Sequence, residues 1–114
     1  MTILSWILQG LLAAMFIMAG TSKTFGSKMH IEAFTKWGYP QWFRVLTGVI
    51  ELAAAILLIS GFWIEGAAIL GAAISVAVGI GGVVTHVRAK DTFKDTAMIA
   101  ILGILSLVLL IILL

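Results

Sequence analysis

Cysteine is absent from these 114 residues, proline and tyrosine occur once each, and only 12 side chains are charged, seven Lys and Arg against five Asp and Glu. Each shortage excludes something. Without cysteine there is no disulfide scaffold, no thiol redox chemistry and no thiolate metal site. Seven bases offset by five acids make no basic footprint for nucleic acid. With 11% charged and 62% apolar residues, against about 25% and about 45–50% in soluble domains, the chain cannot cover its surface with polar groups. A soluble monomer is excluded.

What is present is a set of charge-free runs. Residues 1–22, 66–87 and 96–114 carry no charged side chain, and between Arg44 and Glu65 there is only Glu51. A hydrocarbon core of about 30 Å takes about 20 helical residues, so the runs predict four spanning helices, over 3–22, 41–60, 64–86 and 96–114. Long, unbroken runs without alternation favour helices over a lipid-facing barrel. Between the first two spans, Met29, Ala33, Phe34 and Trp37 share one helical face and Lys28, Glu32 and Lys36 the other. That pattern suits a short helix lying in the interface, ended by Gly38. Gly61 stops the second span and Pro40 suits its first turn. No basic segment precedes the first span, so the sequence predicts no cleaved signal peptide. The expectation is all-α: one domain over 1–114, an integral membrane four-helix bundle with a short interfacial helix between the first and second spans.

Charge placement orients the bundle. All seven basic residues fall in or beside the first and third connections, which share one membrane face. The positive-inside rule makes that face cytoplasmic and puts both termini outside. Trp6 and Trp63 then mark the outer interface, and Trp37, Tyr39 and Trp42 the inner one. Asp95 stands at the positive end of the last helix.

Small and polar residues form stripes. Ser5, Gln9, Ala13, Phe16, Gly20 and Lys23 line one face of the first span, and Ala67, Gly71, Ser75, Gly79, Gly82 and His86 one face of the third. Such faces let helices approach closely in lipid. The third span is expected to be the most enclosed and the fourth the most lipid-exposed. Arg44, Thr47, Glu51 and Ala54 form the matching stripe of the second span.

Glu51 lies about 16 Å of helix from Pro40, close to mid-membrane. A carboxylate at that depth must face inward and be paired, hydrated or protonated. Lys23 can reach it along its aliphatic stem, and His86 offers a proton-exchanging imidazole from the third span. Lys23, Glu51 and His86 are therefore the candidate ligand-binding or proton-handling residues, with Gln9, Arg44, Thr47 and Thr85 as supporting polar groups. The plainer reading is that Glu51 only ties helices together through Lys23, Gln9 or Thr47. Two histidines 56 positions apart make no dedicated metal site. Gly79 to Gly82 sits inside an apolar span and is no nucleotide fingerprint. No serine has a base arranged for nucleophilic catalysis, so the chain is not expected to be an enzyme on its own.

The run L-L-A-A-M-F-I-M-A-G-T-S-K from Leu11 to Lys23, G-Y-P-Q-W-F from Gly38 to Phe43, L-T-G-V-I-E-L-A-A-A-I-L-L from Leu46 to Leu58, and a Gly- and Ala-rich third span ending in Thr85-His86 resemble the DoxX-like family of small four-helix bacterial membrane proteins. The resemblance covers nearly the whole chain. It implies the four-span fold, a bacterial inner-membrane location, and Lys23, Glu51 and His86 as family-type polar positions, one per helix. Relatives range from a membrane subunit of a quinone-linked oxidoreductase to assembly chaperones, so fold alone does not fix function.

Three functions fit these residues. The first is a membrane subunit that binds an apolar quinone-like or lipid-like ligand, with Glu51 and His86 at its polar head and Lys23 setting their charge, in a redox or stress-related system. Quinone would be its cofactor and an oxidoreductase its partner. The second is a membrane interaction or assembly protein whose small-residue faces dock a larger partner or a second copy. The third, a small proton-coupled transporter with Glu51 as carrier, ranks last, because four helices and one deep carboxylate leave little room for alternating access.

Overall fold

The computed structural model describes residues 2–114 and is built of helices: α1 (Ile3–Phe25), α2 (Lys28–Trp37), α3 (Gln41–Ser60), α4 (Glu65–Arg88) and α5 (Phe93–Leu113). All but α2 are long and apolar enough to cross a membrane. The molecule measures 40 Å along its longest axis, enough for a hydrocarbon core of about 30 Å and part of both interfaces. The most extensive packing is of α1 on α3 and of α4 on α5, with α3 against α4 joining the two pairs and a thinner α1–α5 contact closing the bundle. Consecutive spans run antiparallel, so α2 and all seven basic residues gather at one end. We call it the basic end.

Helix termini differ from the predicted spans by up to three residues, for local reasons. α1 runs past Lys23 to Phe25 and ends at Gly26, whose φ of 78° is the left-handed turn that glycine adopts without strain. α4 extends to Arg88. α5 starts at Phe93 because the Thr92 side chain accepts from the Asp95 backbone N–H at 3.2 Å, placing Lys94 and Asp95 within its first turn. Absence of charge delimits what tolerates lipid, whereas caps delimit the helix. Pro40 is the residue before α3, extended at φ −69° and ψ 155°, rather than part of its first turn. Gly61 keeps right-handed backbone angles. A Cβ there would lie 2.4 Å from that of Ala68, so close approach, not conformational freedom, requires the glycine.

The inward stripes are those the sequence marks. Ser5, Gln9, Ala13, Phe16 and Gly20 are buried, as are Gly71, Ser75 and Gly79 of α4 and Gly48, Glu51 and Ala54 of α3. The order of enclosure differs from expectation. The most apolar stretch of α1 is 39% buried against 28% for α4 and 22% for α5. α1 is thus the most enclosed span, because its stripe meets α3 along most of its length, whereas Leu70, Ile80, Val84 and Val87 face outward from α4. α5 is the most exposed, as the sequence predicts.

Ser75, Ser106 and Thr47 bond the carbonyls of Gly71, Leu102 and Phe43, one turn back in their own helices, at 2.7 to 2.8 Å. They satisfy themselves without bridging helices.

Candidate functional site

Two glycines set the α1–α3 crossing. A Cβ at Gly20 would lie 2.8 Å from the Gly48 carbonyl oxygen, and one at Gly48 would lie 2.8 Å from the Thr24 backbone nitrogen. No larger residue fits without moving backbone. Beside this crossing Lys23 Nζ stands 2.9 Å from Glu51 Oε1. Side chains of a helix lean toward its N-terminus. In antiparallel helices Lys23 therefore leans into the membrane while Glu51 leans toward the basic end, and the two meet. The Glu51 side chain is 4% exposed and that of Lys23 16%. Lys23 is the one polar group that reaches Oε1 among the described residues, and Thr24 Oγ1 nearby has no hydrogen-bond partner there. The pair neutralises charge but keeps bonding capacity.

The supporting polar residues act elsewhere. An Arg44 Nη donates to the Lys23 carbonyl oxygen, and its Nε donates to Gln41 Oε1 at 2.7 Å. The chain reversal after α1 folds Gly26 and Ser27 back onto the Ser22 carbonyl, so Arg44 reaches a carbonyl at the negative end of the helix. At the other end Gln9 Nε2 donates to the Leu58 carbonyl oxygen at 3.2 Å. The turn after α3 uses the carbonyls of Leu57, Ile59 and Ser60, and Gln9 supplies the partner for Leu58. α1 and α3 thus cap each other's C-terminal ends, and neither Gln9, Arg44 nor Thr47 hydrogen-bonds Glu51.

His86 does not join the pair. Gly61 lies against Ala68 and Gly71 against Leu57 and Leu58, a register that puts Glu51 level with Val78, about 12 Å of helix rise from His86. The expected convergence of three ionisable groups is corrected to two separate sites. His86 Nδ1 instead lies 2.7 Å from Asp91 Oδ2, which also accepts from Trp37 Nε1 at 3.0 Å, while Oδ1 accepts from Lys36. The hydrogen bond from Lys36, with those from His86 and Trp37, outweighs desolvation and holds the Asp91 carboxyl at about 2, below its ordinary 3.8. Trp37 packs edge-on to His86 at 5.2 Å. Thr85 pairs with the Tyr39 hydroxyl at 3.0 Å. Phe34, the one buried side chain of α2, sits among Trp37, Tyr39 and Phe43. Asp91 therefore clasps the interfacial helix to the end of α4.

Sequence reasoning missed Asp91 and Lys36 as partners, because they are 55 positions apart on a loop and a short helix. The only local signal was an acid five residues after His86, where a chain leaving a helix can fold back. His30, on α2, has its pKa pushed below the ordinary 6.5 by burial and by the nearby charges of Lys23 and Arg44.

The chain matches the DoxX-like family over residues 7–109. A protein of Bacillus subtilis (strain 168), described as the uncharacterized protein YdgD, is 29% identical over 82 residues, covering 71% of this chain and 72% of the relative. No solved structure matches the chain.

Proposed function

The chain belongs to the DoxX-like family of membrane proteins, and from that premise we propose that it binds an apolar ligand with a hydrogen-bonding head, quinone-like or lipid-like, at the Lys23–Glu51 pair. The observation that carries this reading is the buried Glu51 carboxylate, whose one polar partner among the described residues is the Lys23 ammonium. A carboxylate in a span is costly, and retaining one with a single partner, which fills only part of its acceptor capacity, favours a role beyond bracing. A hydroxyl of the ligand would donate to Glu51 and a carbonyl would accept from Lys23, the chemistry of a quinol and a quinone head. Lys23, whose side chain is 16% exposed, gives the approach. In this reading the chain is an accessory membrane subunit of a redox or stress-related system, in the bacterial inner membrane, with the basic end cytoplasmic and both termini outside. His86 serves by holding Asp91 and α2 rather than by touching the ligand.

The test is titration of the purified chain in detergent with a benzoquinone bearing a short prenyl tail. Wild type should bind, and Glu51→Gln should bind at least about tenfold more weakly, the worth of a hydrogen bond to a charged group. Absence of binding by both proteins refutes the reading.

A second reading, assembly with a larger membrane partner or a second copy, is favoured by one observation. An apolar groove of about 340 Å³ runs between α4 and α5, floored by Gly79 and Gly103 and walled by Ile80, Val84, Ile104 and Leu107. Photocrosslinking from position 80 in native membranes should capture a protein if this reading holds, and only lipid if it does not.

A further inference from the structure

A polar cavity lies at the basic end, away from Glu51. It measures about 180 Å³ and is lined by Lys36, Trp37, Tyr39, Thr85, Arg88 and Ala89. Sites for whole small molecules occupy about 300–1,000 Å³, so this one suits a single polar group. Its lining side chains carry charge of one sign. Asp91 is not among them, and both its oxygens are engaged by Lys36, Trp37 and His86. Three carbonyls of the last turn of α4 are likewise occupied, Thr85 by Ala89, His86 by Asp91 and Val87 by Lys90.

The donors are more numerous than the acceptors. Lys36 gives one N–H to Asp91 and keeps two of the three an ammonium carries. The Arg88 guanidinium lies 5.8 Å from the centre of the Tyr39 ring, and the residue is exposed. Tyr39 and Thr85 share one hydrogen bond. Whichever of them donates, one hydroxyl proton remains for a third group. A guanidinium fork, an ammonium and a hydroxyl around a small cavity match a group with several acceptor oxygens and negative charge.

Depth decides the source of that group. Trp37, Tyr39 and Trp42 cluster at this end of the spans, and such aromatics sit at head-group level in a bilayer. Seven bases against Glu32, Asp91 and Asp95 make the end electropositive even with Glu51 ionised. Basic pockets between spanning helices at the membrane surface take lipid head groups. We infer that this cavity is a binding site for the phosphodiester of an anionic phospholipid, held by Arg88 and Lys36 with the Tyr39–Thr85 hydroxyl pair. The lipid would then brace α2 against α4 across the same gap that Asp91 spans.

Native mass spectrometry of the detergent-purified chain, titrated with phosphatidylglycerol and separately with diacylglycerol, tests the site. Retention of phosphatidylglycerol over diacylglycerol is expected, falling about fivefold in Arg88→Gln, the worth of one surface cation, and less in Arg88→Lys. Arg88 is exposed, so the variants should keep wild-type helicity by circular dichroism. Equal retention of the two lipids, or no loss in Arg88→Gln at unchanged helicity, overturns the proposal. Displacement of the lipid by inorganic phosphate at millimolar concentration would reassign the cavity to a soluble phosphate compound and overturn the lipid source.

Discussion

The protein holds two carboxylates against cations in opposite styles. Glu51 lies within a span and has a single ammonium as its polar partner among the described residues. Asp91 lies on a loop and takes hydrogen bonds from Lys36, Trp37 and His86. The saturated site costs little to maintain, because the membrane surface supplies water and α2 and α4 together supply three partners. The unsaturated one lies where each missing bond costs most. A polar group fully satisfied by its own chain is a fastening, whereas one buried with capacity left over is where a ligand can add something.

The largest effect that should separate the two comes from Lys23. Lys23→Met leaves Glu51 buried without its cation and should destabilise the protein by about 3–5 kcal/mol, read as unfolding in mixed bicelles. Glu51→Gln should cost about 1 kcal/mol, since Lys23 can extend to the basic end and the amide still accepts a hydrogen bond. Equal losses would mean that the pair is only a brace. Next comes Gly48→Ala. Its Cβ would meet the Thr24 backbone nitrogen at 2.8 Å and the Gly20 carbonyl oxygen at 2.9 Å, so α1 and α3 must part, at about 1–3 kcal/mol. Gly10→Ala, whose Cβ meets nothing within 4 Å, should be neutral in the same assay.

Smaller effects attach to the clasp. Asp91→Asn should speed hydrogen exchange in residues 28–37 while leaving α1 and α3 protected. Because the folded carboxyl sits at about 2 against an ordinary 3.8, its contribution is complete above pH 3.8 and lost as pH falls toward 2. α2 should therefore stay docked at pH 5 on this account. The smallest effect is the opposing one of His30. With its folded pKa below the ordinary 6.5, acidification through 6.5 favours the unfolded state, which binds the proton more readily. The junction of α1 and α2 should loosen slightly there in wild type and not in His30→Gln.

The sequence made the bundle legible because lipid imposes simple rules. Charge-free length located the spans, and the small-residue stripes named the inward faces, from Ser5 to Gly20 and from Gly71 to Gly79. The Lys23–Glu51 contact was also legible, since a mid-span carboxylate needs a cation and few were in reach. The clasp was not. It joins a loop acid to a short helix through a chain reversal after Arg88, where Lys90 takes a positive φ of 55°, and no periodicity records such a turn. Gln9 and Arg44 looked like neighbours of Glu51 because they share its stripes. Their partners are the Leu58 and Lys23 carbonyls, and which carbonyl a turn leaves over depends on its hydrogen bonding rather than on residue type.

The proposal for Glu51 turns on its carboxylate keeping acceptor lone pairs for a ligand. Infrared difference spectroscopy of the purified chain, recorded on adding the short-tailed quinone and its reduced quinol, reads that carboxylate directly. The account predicts a carboxylate band that shifts with the added head group, vanishes in Glu51→Gln and persists in Asp91→Asn. A spectrum that bound quinone and quinol leave unchanged, or a shift that survives in Glu51→Gln, would contradict it.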